Sequence, residues 1–232
     1  MPRRTTARTV AWTGLAYVVL FITAGTIGPA QGLPGLRDTP QATASYLHTH
    51  TTTPLQWAGV YLEVIGLLVL VAFVVALWRM LREADRDGFL PGVTLAGGLI
   101  GATIKLASLP AAFAALYRAH DISPGLASAL LDINSAAFVS TWATWALLLG
   151  AAGAVMLRSG LLPHRHGYFA IAIAVALLAS IPVFTSADPP TFMFTFVWII
   201  VISVSLLRRA DARDTVHPRA TSARSEVVTP AA

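Results

Sequence analysis

"VTLAGGLIGATIKLASLPAAFAALY", Val93 to Tyr117, carries a single charged side chain, Lys105, in an otherwise apolar and small-residue run. An α-helix rises about 1.5 Å per residue, so a stretch of this length crosses the roughly 30 Å hydrocarbon core of a bilayer. Five further runs of the same kind lie on either side of it: Val10 to Gly28, Trp57 to Trp78, Ala136 to Leu157, Tyr168 to Thr185 and Thr191 to Leu207. The composition agrees, with 56% hydrophobic and 12% charged residues and a mean hydropathy of +0.68, where soluble domains carry about a quarter charged residues. The chain is expected to be an all-α bundle of six transmembrane helices. Residues 1–9 form its N-terminal segment, 10–207 the transmembrane domain and 208–232 a polar, disordered tail.

The cations orient it. Arg3, Arg4 and Arg8 precede span 1; Arg79, Arg82 and Arg86 join spans 2 and 3; Arg158 and Arg165 join spans 4 and 5; Arg208, Arg209, Arg213, Arg219 and Arg224 follow span 6. Arg37 and Arg118 alone fall in the alternate connections. Lys and Arg near span ends stay on the cytoplasmic side, so both termini are expected in the cytoplasm of a plasma-membrane protein. Arg208 and Arg209 are placed to attract anionic inner-leaflet lipids. The basic start and apolar first span also have the form of a secretory signal, but no A-x-A-like site follows, and the span is expected to be retained.

Between spans 1 and 2, "DTPQATASYLHTH" reads as a short amphipathic helix outside the membrane, with Thr39 as N-cap and Pro40 in the first helical position. Ser123 and Pro124 give a similar start upstream of span 4, read as a surface turn.

Several chemistries drop out. The chain has no cysteine, hence no disulfide framework and no thiol redox centre. His48 and His50 are expected on one side of the membrane and His164 and His166 on the other, as surface residues too far apart to share a metal. No span contains histidine for haem ligation. The residue patterns call for no cofactor, no metal and no nucleic acid, and they name no protein partner.

Two ionisable residues remain inside the spans, Glu63 and Lys105. Such residues are costly in hydrocarbon and usually face the bundle with a partner. At 100° per residue, Lys105 shares its helix face with Gly98, Gly101, Ala102, Ser108 and Ala112, and Glu63 shares its own with Gln56, Gly59, Gly66 and Leu70. Small residues mark close helix contacts, so the two faces are expected to meet with Glu63 and Lys105 as an ion pair. The two lie at different depths, about 7 Å apart along the bundle axis, which lysine's flexible stem or a water can bridge. Asp132 and Asn134 precede span 4 and are expected at the outer interface, out of reach of Lys105. Gln56, Thr23, Ser108, Thr141, Trp142 and Thr195 are the expected lining of any outward-facing pocket around the pair. Ser108 with Lys105 as a catalytic dyad is a remote reading, and no other catalytic residues are expected.

The capped segment "TPQATASYLHTH" and "LRSGLLPHRHGYFAIAIAVALL" (Leu157 to Leu178) resemble an uncharacterised family of small bacterial six-helix integral membrane proteins. Arg158, Gly160, Leu162, Pro163 and Gly167 match its turn motif, while His164 and His166 stand where basic and tryptophan positions are expected. The resemblance spans residues 8–207. It implies the six-helix topology and no reaction or ligand. Two functions follow from the residues: a non-enzymatic structural or accessory protein, or a small-solute or proton-coupled carrier or membrane sensor using a pocket at Glu63 and Lys105. A dry glycine contact at the pair favours the first, and a large polar cavity reaching Lys105 favours the second.

Overall fold

The computed structural model describes residues 4–29, 33, 34, 36, 38–86, 88–182 and 190–214. Every regular element among them is helical: α1 (Arg4–Ile27), α2 (Pro40–Thr49), α3 (Pro54–Ala84), α4 (Leu90–Tyr117), α5 (Pro124–Ser159), α6 (His164–Ser180), a single 3-10 turn (Pro190–Phe192) and α7 (Met193–Asp214). Five of these, α1, α3, α4, α5 and α7, are long and apolar enough to cross a membrane. α6 has 17 residues, a rise of about 25 Å. It starts four residues before the expected Tyr168 and ends before the expected Thr185, which lies outside the described residues.

Local chemistry sets the starts. Thr39 accepts from the backbone N–H of Ala42 ahead of Pro40 and so caps α2. Thr53 caps α3 through a reciprocal box, its hydroxyl taking the Gln56 N–H while the Gln56 side chain takes the Thr53 N–H. α5 opens at Pro124, well before the expected Ala136, with Ser123 in the N-cap position but without the side-chain hydrogen bond that Thr39 and Thr53 make, and is one continuous 36-residue helix. The segment read as a surface turn is its first three turns. α1 likewise begins at Arg4, inside the segment expected to precede the first span. α7 continues through Arg208 and Arg209 to Asp214, so the start of the expected tail is helical and residues 215–232 lie outside the described residues.

The long helices close a ring: α1 packs on α3, α3 on α4, α4 on α5, α5 on α6, α6 on α7 and α7 on α1. Glycines permit the tightest crossings. A Cβ on Gly59 of α3 would fall 2.5 Å from the Cα of Gly28 beyond α1, and one on Gly97 of α4 would fall 2.8 Å from the carbonyl oxygen of Thr144 in α5. Inside the ring, Tyr17, Phe21, Trp142, Trp145, Phe192 and Phe196 form an aromatic cluster with centroids 4.9 to 6.5 Å apart. Large apolar side chains also point away from the ring, among them Trp12, Ile65, Leu68, Ile100 and Leu147. An apolar girdle of that kind suits lipid rather than water, where soluble monomers expose no comparable patch.

Contacts fix the two ends. Thr6 reaches Glu83 at 3.3 Å, Arg8 reaches Asp211 at 3.1 Å, and the Arg209 guanidinium donates to the carbonyl of Leu161. The start of α1, the end of α3, the α5–α6 turn and the end of α7 therefore share one end of the bundle, the end rich in arginine. At the other end α2 packs over α5, and Leu47 joins Leu116, Ala119, Ile122 and Ala127 in a small core of its own.

Candidate functional site

Glu63 is the tenth residue of α3 and Lys105 lies just past the middle of α4, both in the half of the bundle nearer α2. The Lys105 ammonium stands 3.2 Å from Glu63 Oε1, with side-chain exposures of 12% and 24% for lysine and glutamate. Lysine's long stem closes the depth difference that the helix positions impose.

The third member is Asn134. Lys105 Nζ donates to Asn134 Oδ1 at 3.0 Å, and Ser108 Oγ lies 3.1 Å from the same oxygen and 2.8 Å from the Lys105 carbonyl oxygen. This corrects the expectation that Asn134 lies too far out to reach Lys105. That expectation took the polar run at 132–135 for the membrane interface, whereas α5 starts at Pro124 and carries Asn134 about 15 Å down the helix. Asp132, two residues nearer the start and so on a different side of the helix, accepts from Ser128 and stays apart from the cluster.

Lysine has only donors, so the asparagine atom beside it is the oxygen, and the amide orientation is thereby fixed. The Asn134 NH2 group then faces away from Lys105. The Phe138 ring, one turn on, lies 5.9 Å from the ammonium, within range of a cation–π contact.

These groups do not meet in a closed helix contact. They line a cavity of about 350 Å³ bounded by α1, α3, α4 and α5, with Leu33, Pro34 and Leu36 over it and Met193 at its edge. Glu63, Lys105, Asn134 and Ser135 supply its polar wall; Phe21, Val60, Leu109, Phe113, Leu116 and Phe138 supply much of the rest. The volume falls in the range of small-molecule sites, which are mostly apolar with a few convergent polar groups.

The other expected lining residues lie elsewhere. Gln56 is occupied in the α3 capping box. Thr23 is half-buried on α1 and its carbonyl accepts from Thr26. Thr141 is buried and donates to the Phe138 carbonyl, and Trp142 stacks in the aromatic core beneath the cavity. Thr195 is fully buried, with no hydrogen-bond partner for its hydroxyl among the described residues. Ser108 touches the cluster through Asn134 but does not line the cavity.

His166 is the other correction. It is buried, 2% exposed, with Nδ1 3.1 Å from the Pro163 carbonyl and Nε2 2.9 Å from Ser205 Oγ; its own carbonyl accepts from Trp198. It fastens the start of α6 to α7, while His164 is exposed as expected. Among the described residues no group of histidines and carboxylates has the arrangement of a metal site.

The chain matches no protein-family model, no curated protein and no solved structure.

Proposed function

We propose that this chain is a six-span protein of the plasma membrane that binds a small molecule in an outward-facing pocket headed by Lys105, Glu63 and Asn134, as a carrier or a ligand-sensing membrane protein. The cavity carries the reading. A structural or accessory role requires only that two charged helix faces satisfy each other, which a closed contact does best. Here the cluster instead forms one wall of a space large enough for a ligand.

The topology is part of the proposal. α6 supports a sixth span because it leaves the arginine-rich end at His166 and reaches the other end at Ser180, whose hydroxyl meets Thr191 before α7. The gathering of Arg8, Arg158 and Arg209 at one end supports placing both termini in the cytoplasm, with α2 and the cavity mouth outside. Arg208 is exposed there and suited to anionic headgroups, while Arg209 is engaged by the α5–α6 turn. Membership of the small six-helix bacterial group that the turn motif resembles accords with this topology.

The absence of cysteine supplies the test. In intact cells, Ser135→Cys on the cavity wall is expected to react with a small membrane-impermeant thiosulfonate, and Leu68→Cys on the lipid-facing side of α3 is not. An unreactive Ser135→Cys that becomes reactive only when the reagent is given from the cytoplasmic side overturns the outward-facing pocket.

A further inference from the structure

The chemistry of the cavity wall narrows the class of ligand, on the understanding that the cavity is a binding site as proposed above. The ammonium and the carboxylate at 3.2 Å neutralise each other, so the wall presents no net charge. An anionic head would have to compete with Glu63 for Lys105, and a cationic head would have to compete with Lys105 for Glu63. Either must break a pair that is largely withdrawn from water.

Hydrogen-bonding capacity is left over without breaking anything. Asn134 spends its oxygen on Lys105 and Ser108, which leaves its NH2 group as a donor on a residue that lines the cavity. Glu63 engages Lys105 through Oε1, which leaves acceptor capacity on the other carboxylate oxygen. Both residues are held by the same ammonium, which keeps the amide and the carboxylate side by side on one wall of the cavity. A group that accepts from Asn134 and donates to Glu63 fits: a hydroxyl or a primary carboxamide.

The remaining walls are aliphatic and aromatic. At about 30 Å³ for each water-sized unit, the volume corresponds to roughly a dozen non-hydrogen atoms. Gly25 widens the space, since a Cβ added there meets no protein atom within 4 Å.

We propose that the cavity binds an uncharged, single-chain amphiphile of about ten to twelve non-hydrogen atoms, its hydroxyl or carboxamide head between Asn134 and Glu63 and its chain along Leu109, Phe113 and Phe138. The ligand enters with the ion pair intact.

1-Decanol, decanoate, decylammonium and leucine are the probes, added to the full-length protein in lipid nanodiscs. Decanol at a hundredfold excess over its dissociation constant is expected to bind one per protein and to raise the unfolding midpoint by about 5 °C or more. Gly25→Leu, which fills the cavity and leaves the cluster untouched, and Asn134→Ala, which removes the donor, should each weaken decanol binding at least tenfold. Their comparison in the same bilayer separates site binding from a general effect of alcohol on lipid. Tighter binding of decanoate, decylammonium or leucine than of decanol overturns the assigned class while leaving the pocket in place. No saturable binding of any probe, together with an unreactive Ser135→Cys, overturns the pocket itself. Equal decanol binding by wild type and Gly25→Leu overturns the assigned location.

Discussion

Replacing Lys105 by methionine removes the ammonium that holds Glu63 and Asn134 together and leaves an apolar side chain of similar length. Loss of one partner of a buried ion pair costs about 3 to 5 kcal/mol, because the other charge stays behind without compensation. Glu63 keeps 24% of its side chain exposed and lines a cavity rather than a closed contact, so the cost should lie below that range, at about 2 to 3 kcal/mol. Asn134 keeps its contact with Ser108, which limits the collateral loss. Glu63→Gln retains an acceptor for Lys105 and should cost less, about 1 to 2 kcal/mol. The double variant Glu63→Leu with Lys105→Met removes both charges and should return to within about 1 kcal/mol of wild type. The coupling in that cycle, with Glu63→Leu measured alone as its second arm, is then about 2 kcal/mol or more, and a shift of about 2 to 4 °C per kcal/mol makes it visible in thermal unfolding of purified protein in one fixed detergent. Single variants that are each neutral, and a double variant that is simply their sum, would refute the pairing and the energetic reasoning together.

Other changes test the packing around the site. Gly59→Ala puts a methyl 2.5 Å from the Gly28 Cα, so it should destabilise by about 1 to 3 kcal/mol, whereas Gly25→Ala points into open space and should be neutral or slightly stabilising in the same assay. His166→Phe fills the volume but leaves Ser205 without its imidazole partner at the α6–α7 contact; a loss of about 2 kcal/mol in unfolding free energy is expected, and a neutral result would show that His166 only fills space. Asp211→Asn breaks an exposed contact with Arg8 and should change stability by less than about 1 kcal/mol, with the change disappearing at high salt.

The class of fold was legible because hydrocarbon imposes a length and a composition that few other solvents do. The helical faces of Lys105 and Glu63 were legible for the same reason: glycine spacing marks which side of a helix a neighbour approaches. Depth was harder. Polar side chains at Asp132, Asn134 and Ser135 look like the end of a span when hydropathy is averaged along the chain, yet they are tolerated deep in α5 because Asn134 and Ser135 face a cavity. Ser123 and Pro124 already marked where that helix begins, and counting from them would have placed Asn134 level with Lys105. Gln56 misled in the opposite way. Its face matched Glu63, but three residues after Thr53 it meets the requirement of a capping box, and the unpaired backbone donors at the start of α3 claim it first. His166 carried no sequence signal of burial beyond its place just after the Leu162–Pro163 turn, because its partner Ser205 is 39 residues away. The cavity has no sequence signature at all, since it arises where four helices fail to close.

Lys105 is the chain's only lysine, so lysine labelled with 15N at Nζ gives a single side-chain resonance from the whole protein. Recorded in lipid nanodiscs, that one signal reports on the ammonium at the centre of the account. It should show an exchange cross-peak with water, move when Glu63 becomes glutamine or Asn134 becomes alanine, and move again as decanol fills the cavity. A resonance that exchanges with no water and is indifferent to Glu63, Asn134 and decanol would mean that Lys105 is sealed in a structural contact, and the proposed binding site would be contradicted.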